Sequence, residues 1–436
     1  MSQPTIPTQP QSFQRPAGGV EQTIAASRGE MKSLLCSLIA EKSLSGHEQG
    51  LVQLTRQWAN EHCFTTDMWQ TTDETAAAYP QGQARHISLA NRPTLVLGLP
   101  CDRAAQPALI FNAHSDVVDA PAPERWKFKP WTATVSEDRI YGRGACDVKG
   151  PLVSALWAMQ AVHQTIDGPA PAPVLLELVP GEEDAVGLGT LTSVLRGYQA
   201  DASIVLEPTE CLPRPASRGG LRFEIAVFGK AVHGTVKWLG EDAIAATRKV
   251  LDALEQMERD YGGISPDPLF SDYPIARPIT VDFIHGGRWQ GMVADECRCA
   301  GYFEILPGDG IDFWQNQFRN DLRRKLSANG VPINSVAVEF TETYRGHRTP
   351  LEAQICRLAE KAVAESPAHT QWSGWKAFNS GCEAGLRAGL HDTPTLVWGP
   401  GSLAQAHAAD EFVNFNDVER VAVMFARTIA EWLRLR

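Results

Sequence analysis

The sequence places two adjacent glutamates, Glu182 and Glu183, after an apolar run from Val174 to Val179. Such a run is typical of a buried strand, and the Pro-Gly pair that follows it indicates a turn. Two neighbouring carboxylates at the end of a buried strand repel each other and lose hydration, so a nearby positive charge is needed. A metal cation meets that need, because one carboxylate can bind it while the other takes a proton from water. The pair alone also fits a solvated loop, so this interpretation depends on further ligands.

Other imidazole and carboxylate side chains lie at comparable positions. His114 ends a second apolar run and Glu207 follows a third, so both fall at the carboxyl ends of predicted strands. Asp147 lies in a glycine-rich turn and His407 in a late loop. Together with Glu183 they form a set of nitrogen and oxygen ligands, which suits Zn²⁺ and also Co²⁺ or Mn²⁺. The set is large enough for two divalent ions roughly 3.5–4 Å apart, with one carboxylate bridging them.

Two more carboxylates have expected roles around that set. Glu182 would act as the general base that takes a proton from the water shared by the ions. Asp116 lies two residues after His114 and would accept a hydrogen bond that fixes the tautomer of that imidazole. Read singly, each of these residues also has a structural explanation, such as a core histidine or a turn aspartate. Their joint occurrence at strand ends favours the metal site.

The elements that must position these groups follow from the hydrophobic pattern. Strands alternating with helices predict a mostly parallel sheet, and such sheets bind ligands outside the carboxyl ends of their strands. Near Arg218 the pattern changes to the alternation of antiparallel strands beside two helices, which predicts an inserted α+β unit of ferredoxin-like type. The predicted segments are a flexible N-terminal tail, two parts of one catalytic domain and a lid domain between those parts: 1–19, 20–217 with 341–436, and 218–340.

Composition excludes several classes of function. A chain of 436 residues predicts two domains, and a net charge of −11 without a basic run argues against nucleic acid and anionic membranes. The chain has no apolar stretch long enough to span a bilayer, and its polar N-terminus does not predict a secretory signal. Nine cysteines without a CxxC spacing favour a reducing cytoplasm. We therefore expect a cytoplasmic protein with a small-molecule substrate.

Five motifs, NAHSDVV, YGRGACDVKG, PGEED, LEPTE and AHAADE, resemble the metal-site motifs of the M20 metallopeptidases in order and spacing. The resemblance covers nearly the whole chain from about residue 25. That family includes acetylornithine deacetylase, succinyl-diaminopimelate desuccinylase, aminoacylases and glutamate carboxypeptidases. The resemblance implies that His114 and Glu207 hold one metal, that Glu183 and His407 hold the other, and that Asp147 bridges them.

The same resemblance implies further roles. Glu182 takes the place of the catalytic acid/base, and Asp116 that of the carboxylate behind the histidine. Residues of about 218 to 335 resemble the lid domain through which many members dimerise, so a homodimer is the expected assembly. Within it GKAVH, which ends in His233, resembles the motif whose histidine reaches a partner's active site and stabilises the oxyanion.

The lid sequence also departs from the family. Gly291 stands near the position of a usual Asn, and Glu304 stands where many members place an Arg. An Arg-to-Glu exchange reverses the charge and removes a bidentate carboxylate clamp. One hypothesis is that the substrate lacks the α-carboxylate, carries a cationic or aromatic group, or uses Arg288 or Arg345 instead. The other is that the alignment is shifted by a residue or two.

Three functions follow from these observations. The first is a dinuclear metallohydrolase that cleaves the amide C–N bond of a small N-acyl amine or N-acyl amino acid. The second is a related hydrolase that releases an amine or ammonia from an aryl or heterocyclic substrate by deamination or deformylation. The third, a non-catalytic binding protein with the same fold, is disfavoured because the chain retains Glu182. Cys382 and Glu383 replace residues common in the family and are expected to shape the substrate pocket.

Overall fold

A computed structural model describes residues 19–70, 88, 90–101, 109–184, 187–263, 265, 267–332 and 335–434. The predicted flexible tail therefore lies outside the described residues, apart from Gly19, which precedes the first helix. The strands, in chain order, are β1 (Thr65–Gln70), β2 (Pro93–Gly98), β3 (Leu109–His114), β4 (Thr134–Ser136), β5 (Arg139–Tyr141), β6 (Val174–Val179), β7 (Ala202–Val205), β8 (Ala216–Ser217), β9 (Gly219–Phe228), β10 (Ile279–Gly286), β11 (Glu296–Ile305), β12 (Val336–Tyr344), β13 (His347–Arg348), β14 (Thr395–Val397) and β15 (Phe412–Asn414).

The helices are longer than most of the strands and separate them along the chain. They are α1 (Val20–Ala26), α2 (Arg28–Ala40), α3 (Gln49–Glu61), α4 (Gly150–Thr165), α5 (Leu188–Leu195), α6 (Ala243–Tyr261), α7 (Ile311–Ala328), α8 (Gln354–Ala364), α9 (Ala384–His391) and α10 (Phe415–Arg434). Among the described residues, no helix is long and apolar enough to cross a membrane.

The central sheet has six strands in the order β1-β2-β6-β3-β7-β14. Strands β6, β3, β7 and β14 are parallel neighbours, and β2 runs antiparallel to β1 and β6. The four parallel strands are almost entirely buried, which explains why they appear in the sequence as continuous apolar runs. The mostly parallel α/β class predicted from the sequence is confirmed.

Helices cover both faces of this sheet. Ile204 and Leu396 join one large apolar cluster, whereas the next residues along their strands, Val205 and Val397, join a separate small cluster. Because side chains alternate across a strand, these clusters lie on opposite faces. Helices α4 and α10 pack together on the side of the large cluster, and α5 packs with α9 on the other. The sheet is therefore covered by packed helices on both faces.

The second sheet is antiparallel, with the order β10-β11-β9-β12. Helices α6 and α7 pack on it, and the chain order is strand, helix, strand, strand, helix, strand. Alternate residues of β9, among them Phe223 and Ile225, are buried in a cluster separate from that of the first sheet. Cys297 and Cys299 lie in the same cluster, so they share one face of their strand.

Several short elements are absent from the prediction. Strand β1 has the sequence TTDMWQ, in which polar residues predominate, so its hydrogen bonding to β2 depends on tertiary contacts. Strand β15 pairs with β5, and β5 pairs with β4, in a small sheet of three-residue strands. Segments this short carry no readable periodicity.

Candidate metal centre

Three adjacent parallel strands deliver three of the predicted ligands to one edge of the central sheet. His114 is the last residue of β3 and is paired in register with Val179, the last residue of β6. Glu183 follows the end of β6 by four residues, and Glu207 follows the end of β7 by two. Since β3 lies between β6 and β7, all three side chains meet above β3.

Asp147 and His407 come from loops on the same edge. The His114 Nε2 atom lies 3.0 Å from Asp147 Oδ1. The His407 Nε2 atom lies 3.1 Å from Glu183 Oε2 and 3.4 Å from Asp147 Oδ2. Each oxygen of the Asp147 carboxylate therefore faces a different imidazole, an arrangement that suits a bridging ligand.

The donor atoms form two groups that share Asp147. The first is His114, Asp147 and Glu207, and the second is Asp147, Glu183 and His407; in each, the donor atoms lie within 4.8 Å of one another. Glu182 joins His114 and Glu183 in a third group of the same size. The structure thus brings all five proposed ligands and the proposed base together.

Electrostatics explain why this cluster suits cations. Burial raises the pKa values of Glu182, Glu183 and Glu207, and the mutual repulsion of the carboxylates adds to that effect. Burial opposes the ionised form of Asp147 too, but the hydrogen bonds from His114 and His407 lower its pKa below the usual range. A set of carboxylates and imidazoles, with no thiolate among them, fits divalent zinc, cobalt or manganese.

Neighbouring carboxylates raise the pKa values of both imidazoles, those of His114 and His407. Hydrogen bonds to Asp147 and Glu183 raise the pKa of His407 to about 11. Burial lowers the pKa of His114, but the hydrogen bond to Asp147 and the charges of Asp147, Glu182 and Glu183 together outweigh it, so the pKa lies well above the usual value. A bound cation would take over the role of these protons, because it offers the carboxylates positive charge directly.

Asp116 differs in detail from its predicted role. The His114 Nδ1 atom lies 2.9 Å from the main-chain carbonyl oxygen of Asp116, whereas the Asp116 carboxylate is 3.9 Å away. The carboxylate instead accepts hydrogen bonds from the backbone N–H groups of Gly181, Glu182 and Glu183 at 2.9, 3.2 and 3.1 Å. The carbonyl therefore fixes the His114 tautomer, because the carboxylate is occupied in shaping the turn that carries Glu182.

The buried Arg92 pairs with acids on and beside that turn. Arg92 is buried and hydrogen-bonds the Asp184 carboxylate at 3.0 Å and Glu48 Oε1 at 2.7 Å. It also lies 3.5 Å from the Asp116 carboxylate. The charge of Arg92 thus offsets several acids next to the metal centre. The sequence alone assigns no role to Arg92, which precedes β2 outside every motif.

The loop that carries Asp147 depends on Glu411, a residue of the late AHAADE motif to which the sequence assigns no role. The Glu411 carboxylate accepts hydrogen bonds from the N–H groups of Gly144 and Cys146, each at 3.0 Å, and from Arg143 Nη1 at 2.7 Å. The sequence does contain a pointer to this residue, because Glu411 lies four residues after His407 in the same motif. Its function becomes apparent only when the two loops are seen in contact.

His233 is not part of the cluster. Its ring is exposed, and Nδ1 lies 2.8 Å from the Thr235 hydroxyl. The His233 segment forms a bridge with Met292, and the Gly234 N–H donates to the Gly291 carbonyl at 2.8 Å. Among the residues that the structure describes, the groups of potential metal ligands do not include it. The structure therefore places His233 beside Gly291 in the antiparallel unit.

The other residues singled out from the sequence lie in three places. Arg288 is largely exposed and pairs with Asp295 and Glu296 on its own unit. Glu304 lies on β11 and accepts a hydrogen bond from the Tyr344 hydroxyl at 2.8 Å. Glu383 is buried and accepts a hydrogen bond from Thr190 at 2.7 Å.

Comparisons with known proteins agree with this geometry. Residues 110–431 match the model of Peptidase family M20/M25/M40. An N-formyl-4-amino-5-aminomethyl-2-methylpyrimidine deformylase of Halalkalibacterium halodurans is 26% identical over 360 residues, 76% of this chain and 80% of that protein. An acetylornithine deacetylase of Myxococcus xanthus is 28% identical over 331 residues, 74% of this chain and 80% of that protein.

A solved structure supports the fold. The solved structure of a di-peptidase from Saccharomyces cerevisiae superposes with a TM-score of 0.74 at 14% sequence identity, covering 95% of this chain and 98% of that one. The match of the family model extends over most of the chain, from β3 into α10. This chain belongs to Peptidase family M20/M25/M40.

Proposed function

We propose that the protein is a dinuclear metal-dependent hydrolase that cleaves the amide C–N bond of a small N-acyl amine or N-acyl amino acid. One observation carries this proposal: two groups of ligands share the Asp147 carboxylate, with Glu182 beside them. His114 and Glu207 would hold one ion, and Glu183 and His407 the other. Zinc is the expected metal, because the donor set combines imidazole nitrogen with carboxylate oxygen.

Bound ions of this kind polarise the substrate carbonyl and lower the pKa of water. The protein supplies the proton transfers. A Glu182 carboxylate oxygen takes a proton from the attacking water as the new C–O bond forms, and it then gives that proton to the departing nitrogen as the C–N bond breaks. The Asp116 carboxylate keeps Glu182 in position through the backbone N–H groups of the turn. The His114 ring is oriented by the Asp116 carbonyl.

Residues 218–340 would form a ferredoxin-like lid domain through which two copies pair. Strand β10 supports this, because it is the edge strand of its sheet and exposes Phe283 and Ile284, at 53% and 54%. An exposed apolar edge strand is a typical pairing surface. In such a homodimer, the exposed His233 of one protomer would reach the metal centre of the other and donate to the oxyanion. The cytoplasmic location stays a prediction from the sequence.

The first experiment compares the metal-loaded protein with Glu182→Ala on N-acetyl, N-succinyl and N-formyl amines. We expect Glu182→Ala to retain both metal ions, measured by elemental analysis, and to lose at least 10²-fold in kcat. Glu124→Ala, which changes an exposed glutamate outside the cluster, is the matched control. Wild-type protein that cleaves none of these amides would contradict the proposed function, and a fully active Glu182→Ala would contradict the mechanism.

A second candidate is deformylation that releases a heterocyclic amine. Glu304 favours it, because its carboxylate stands where the family resemblance places an arginine that binds the substrate carboxylate. The relative from Halalkalibacterium halodurans is named for such a reaction. Comparing N-formyl and N-acetyl derivatives of the same amine separates the two candidates. Deformylation predicts a kcat/KM at least tenfold higher for the formyl compound, whereas a general deacylase would accept both.

A further inference from the structure

Glu304 and Tyr344 lie on either side of one glycine at the end of the antiparallel sheet. Gly220 of β9 is paired in register with Glu304 of β11 and with Tyr344 of β12. A Cβ atom on Gly220 would lie 2.4 Å from the Tyr344 hydroxyl oxygen, so only glycine leaves room for the ring. The Tyr344 hydroxyl crosses this gap and donates to Glu304 Oε1 at 2.8 Å. The two side chains form one unit across β9.

The opposite side of Tyr344 faces the catalytic body. A Cβ atom on Gly381 would lie 1.8 Å from the tyrosine ring, so the ring also packs directly on that backbone. The pKa of Tyr344 lies well above its usual value because of burial and then because of Glu304, and the charge of Glu182 contributes to the shift. Tyr344 therefore connects Glu304 to the backbone of the catalytic body at Gly381.

The charge of Glu304 is incompletely neutralised. Its Oε2 atom is buried without a hydrogen-bond partner among the described residues, and the same is true of the Arg218 Nε atom. Burial raises the pKa of Glu304 to about 7, while the Tyr344 hydrogen bond and the charge of Arg218 lower it. A buried acceptor without a donor costs free energy, so a donor group arriving there would be stabilised. Glu304 as a whole has intermediate exposure, while its Oε2 atom is buried.

We propose that Glu304, held by Tyr344, determines specificity by selecting substrates whose leaving amine carries a hydrogen-bond-donor edge, such as an amidine or an aminopyrimidine. A carboxylate accepts two parallel hydrogen bonds from such an edge. An α-carboxylate at the same place would repel Glu304 in a poorly solvated setting. This inference rests on the proposed function and narrows it to a class of substrate.

The test uses two formamides that present the same bond. One is the N-formyl aminopyrimidine for which the bacterial relative is named, and the other is N-formylmethionine, which carries an α-carboxylate. The wild-type protein is expected to prefer the aminopyrimidine in kcat/KM by at least tenfold. Glu304→Gln should reduce that preference at least tenfold, and Glu304→Arg should reverse it. A preference that stays within twofold of wild type in both variants would overturn the proposal.

Controls separate a specificity role from a structural one. Glu255→Gln changes an exposed acid on α6 and should leave the preference unchanged. Glu304→Gln has the shape of the protonated acid, so a purely structural Glu304 predicts no change of preference. If Glu304→Gln does not fold by circular dichroism, Tyr344→Phe replaces it under the same criterion, because it removes only the hydroxyl that holds Glu304.

A binding measurement distinguishes failure of this inference from failure of the proposed function. Calorimetry would follow binding of the free aminopyrimidine amine to metal-loaded Glu182→Ala protein, with and without Glu304→Gln. We expect the second substitution to weaken binding at least tenfold. Weakened binding without any hydrolysis by wild type would contradict the proposed function and keep the recognition role. Hydrolysis with an unchanged preference and unchanged binding would contradict the recognition role alone.

Discussion

The carboxylate of Glu411 accepts a hydrogen bond from the backbone N–H of Asp147 at 3.2 Å, across a separation of 264 residues. The same carboxylate accepts from Gly144, Cys146 and Arg143. Because His407 lies only four residues earlier, one short segment supplies a ligand and also fixes the loop of the proposed bridging residue. The geometry of the metal pair therefore depends on the contact between these two loops.

Glu411→Gln should weaken metal binding. A glutamine presents an N–H₂ group to at least one of the backbone N–H donors, so the Asp147 loop loses an acceptor and shifts. Loss of such a supporting contact typically costs 10–100-fold in metal affinity. Competition with a chromophoric chelator measures this loss.

Asp410→Asn is the matched control for that experiment. Asp410 accepts hydrogen bonds from the backbone N–H groups of Lys127 and Phe128, which lie on a different loop. Its substitution should leave the chelator competition close to wild type. Equal losses in both variants would show that Glu411 acts through general stability.

Asp116→Asn should lower kcat more than it lowers metal affinity. The Asp116 carboxylate binds three successive backbone N–H groups of the turn that carries Glu182, and an amide nitrogen would oppose at least one of them. The expected loss in kcat is about 10- to 100-fold, by analogy with other supporting contacts. Steady-state kinetics with saturating zinc measure it, and exposed Asp119→Asn serves as the control. Unchanged kcat would contradict the positioning role.

The parts of the fold that the sequence predicts well are those in which one local pattern decides the outcome. Strand β6 is a continuous apolar run and is found at the predicted residues, Val174 to Val179. The principle that ligands collect at the carboxyl ends of parallel strands then predicts that His114, Glu183 and Glu207 lie together. These expectations need only periodicity and chain direction.

The parts that the sequence does not predict depend on contacts between distant segments. Nothing local indicates that the Asp116 carboxylate supports a turn while its carbonyl orients His114. The same holds for Arg92, whose partners lie in three other segments. Helix α9 is only eight residues long and follows a polar loop, so its existence depends on packing against α5.

Arg387→Met should destabilise the protein strongly. Arg387 and Glu177 form a buried ion pair, and Glu177 also accepts a hydrogen bond from Asn112 at 2.7 Å. Removing the arginine leaves a buried carboxylate without its counter-charge, a change that costs about 3–5 kcal/mol. Urea unfolding of chelator-treated protein measures the loss. In the double variant Glu177→Gln with Arg387→Met, most of the lost free energy of unfolding should be recovered. If it is not recovered, lost packing rather than the unpaired charge explains the destabilisation.

His347 of β13 contacts two other strands, β8 and β14. Its Nδ1 atom lies 2.7 Å from the Ser217 hydroxyl and its Nε2 atom 3.1 Å from the Thr395 carbonyl oxygen, so a neutral ring satisfies both contacts. Burial lowers the pKa of His347 to about 4. Above the usual histidine pKa of about 6.5 the folded and unfolded states are both neutral at this residue, and it adds no pH dependence.

Below that pH, His347 takes up a proton in the unfolded chain but stays neutral in the folded protein, because its folded pKa is lower. The free energy of unfolding should therefore fall by about 1.4 kcal/mol per pH unit, until the folded pKa is reached. His347→Gln keeps an N–H donor for the Thr395 carbonyl but cannot titrate. The stability advantage of wild type over His347→Gln should shrink by about 2 kcal/mol between pH 7.5 and pH 5, because the other titrating groups are common to both proteins. Urea unfolding at the two pH values measures the difference. An advantage independent of pH would show that His347 takes up its proton equally in the folded and unfolded states, with no lowered pKa.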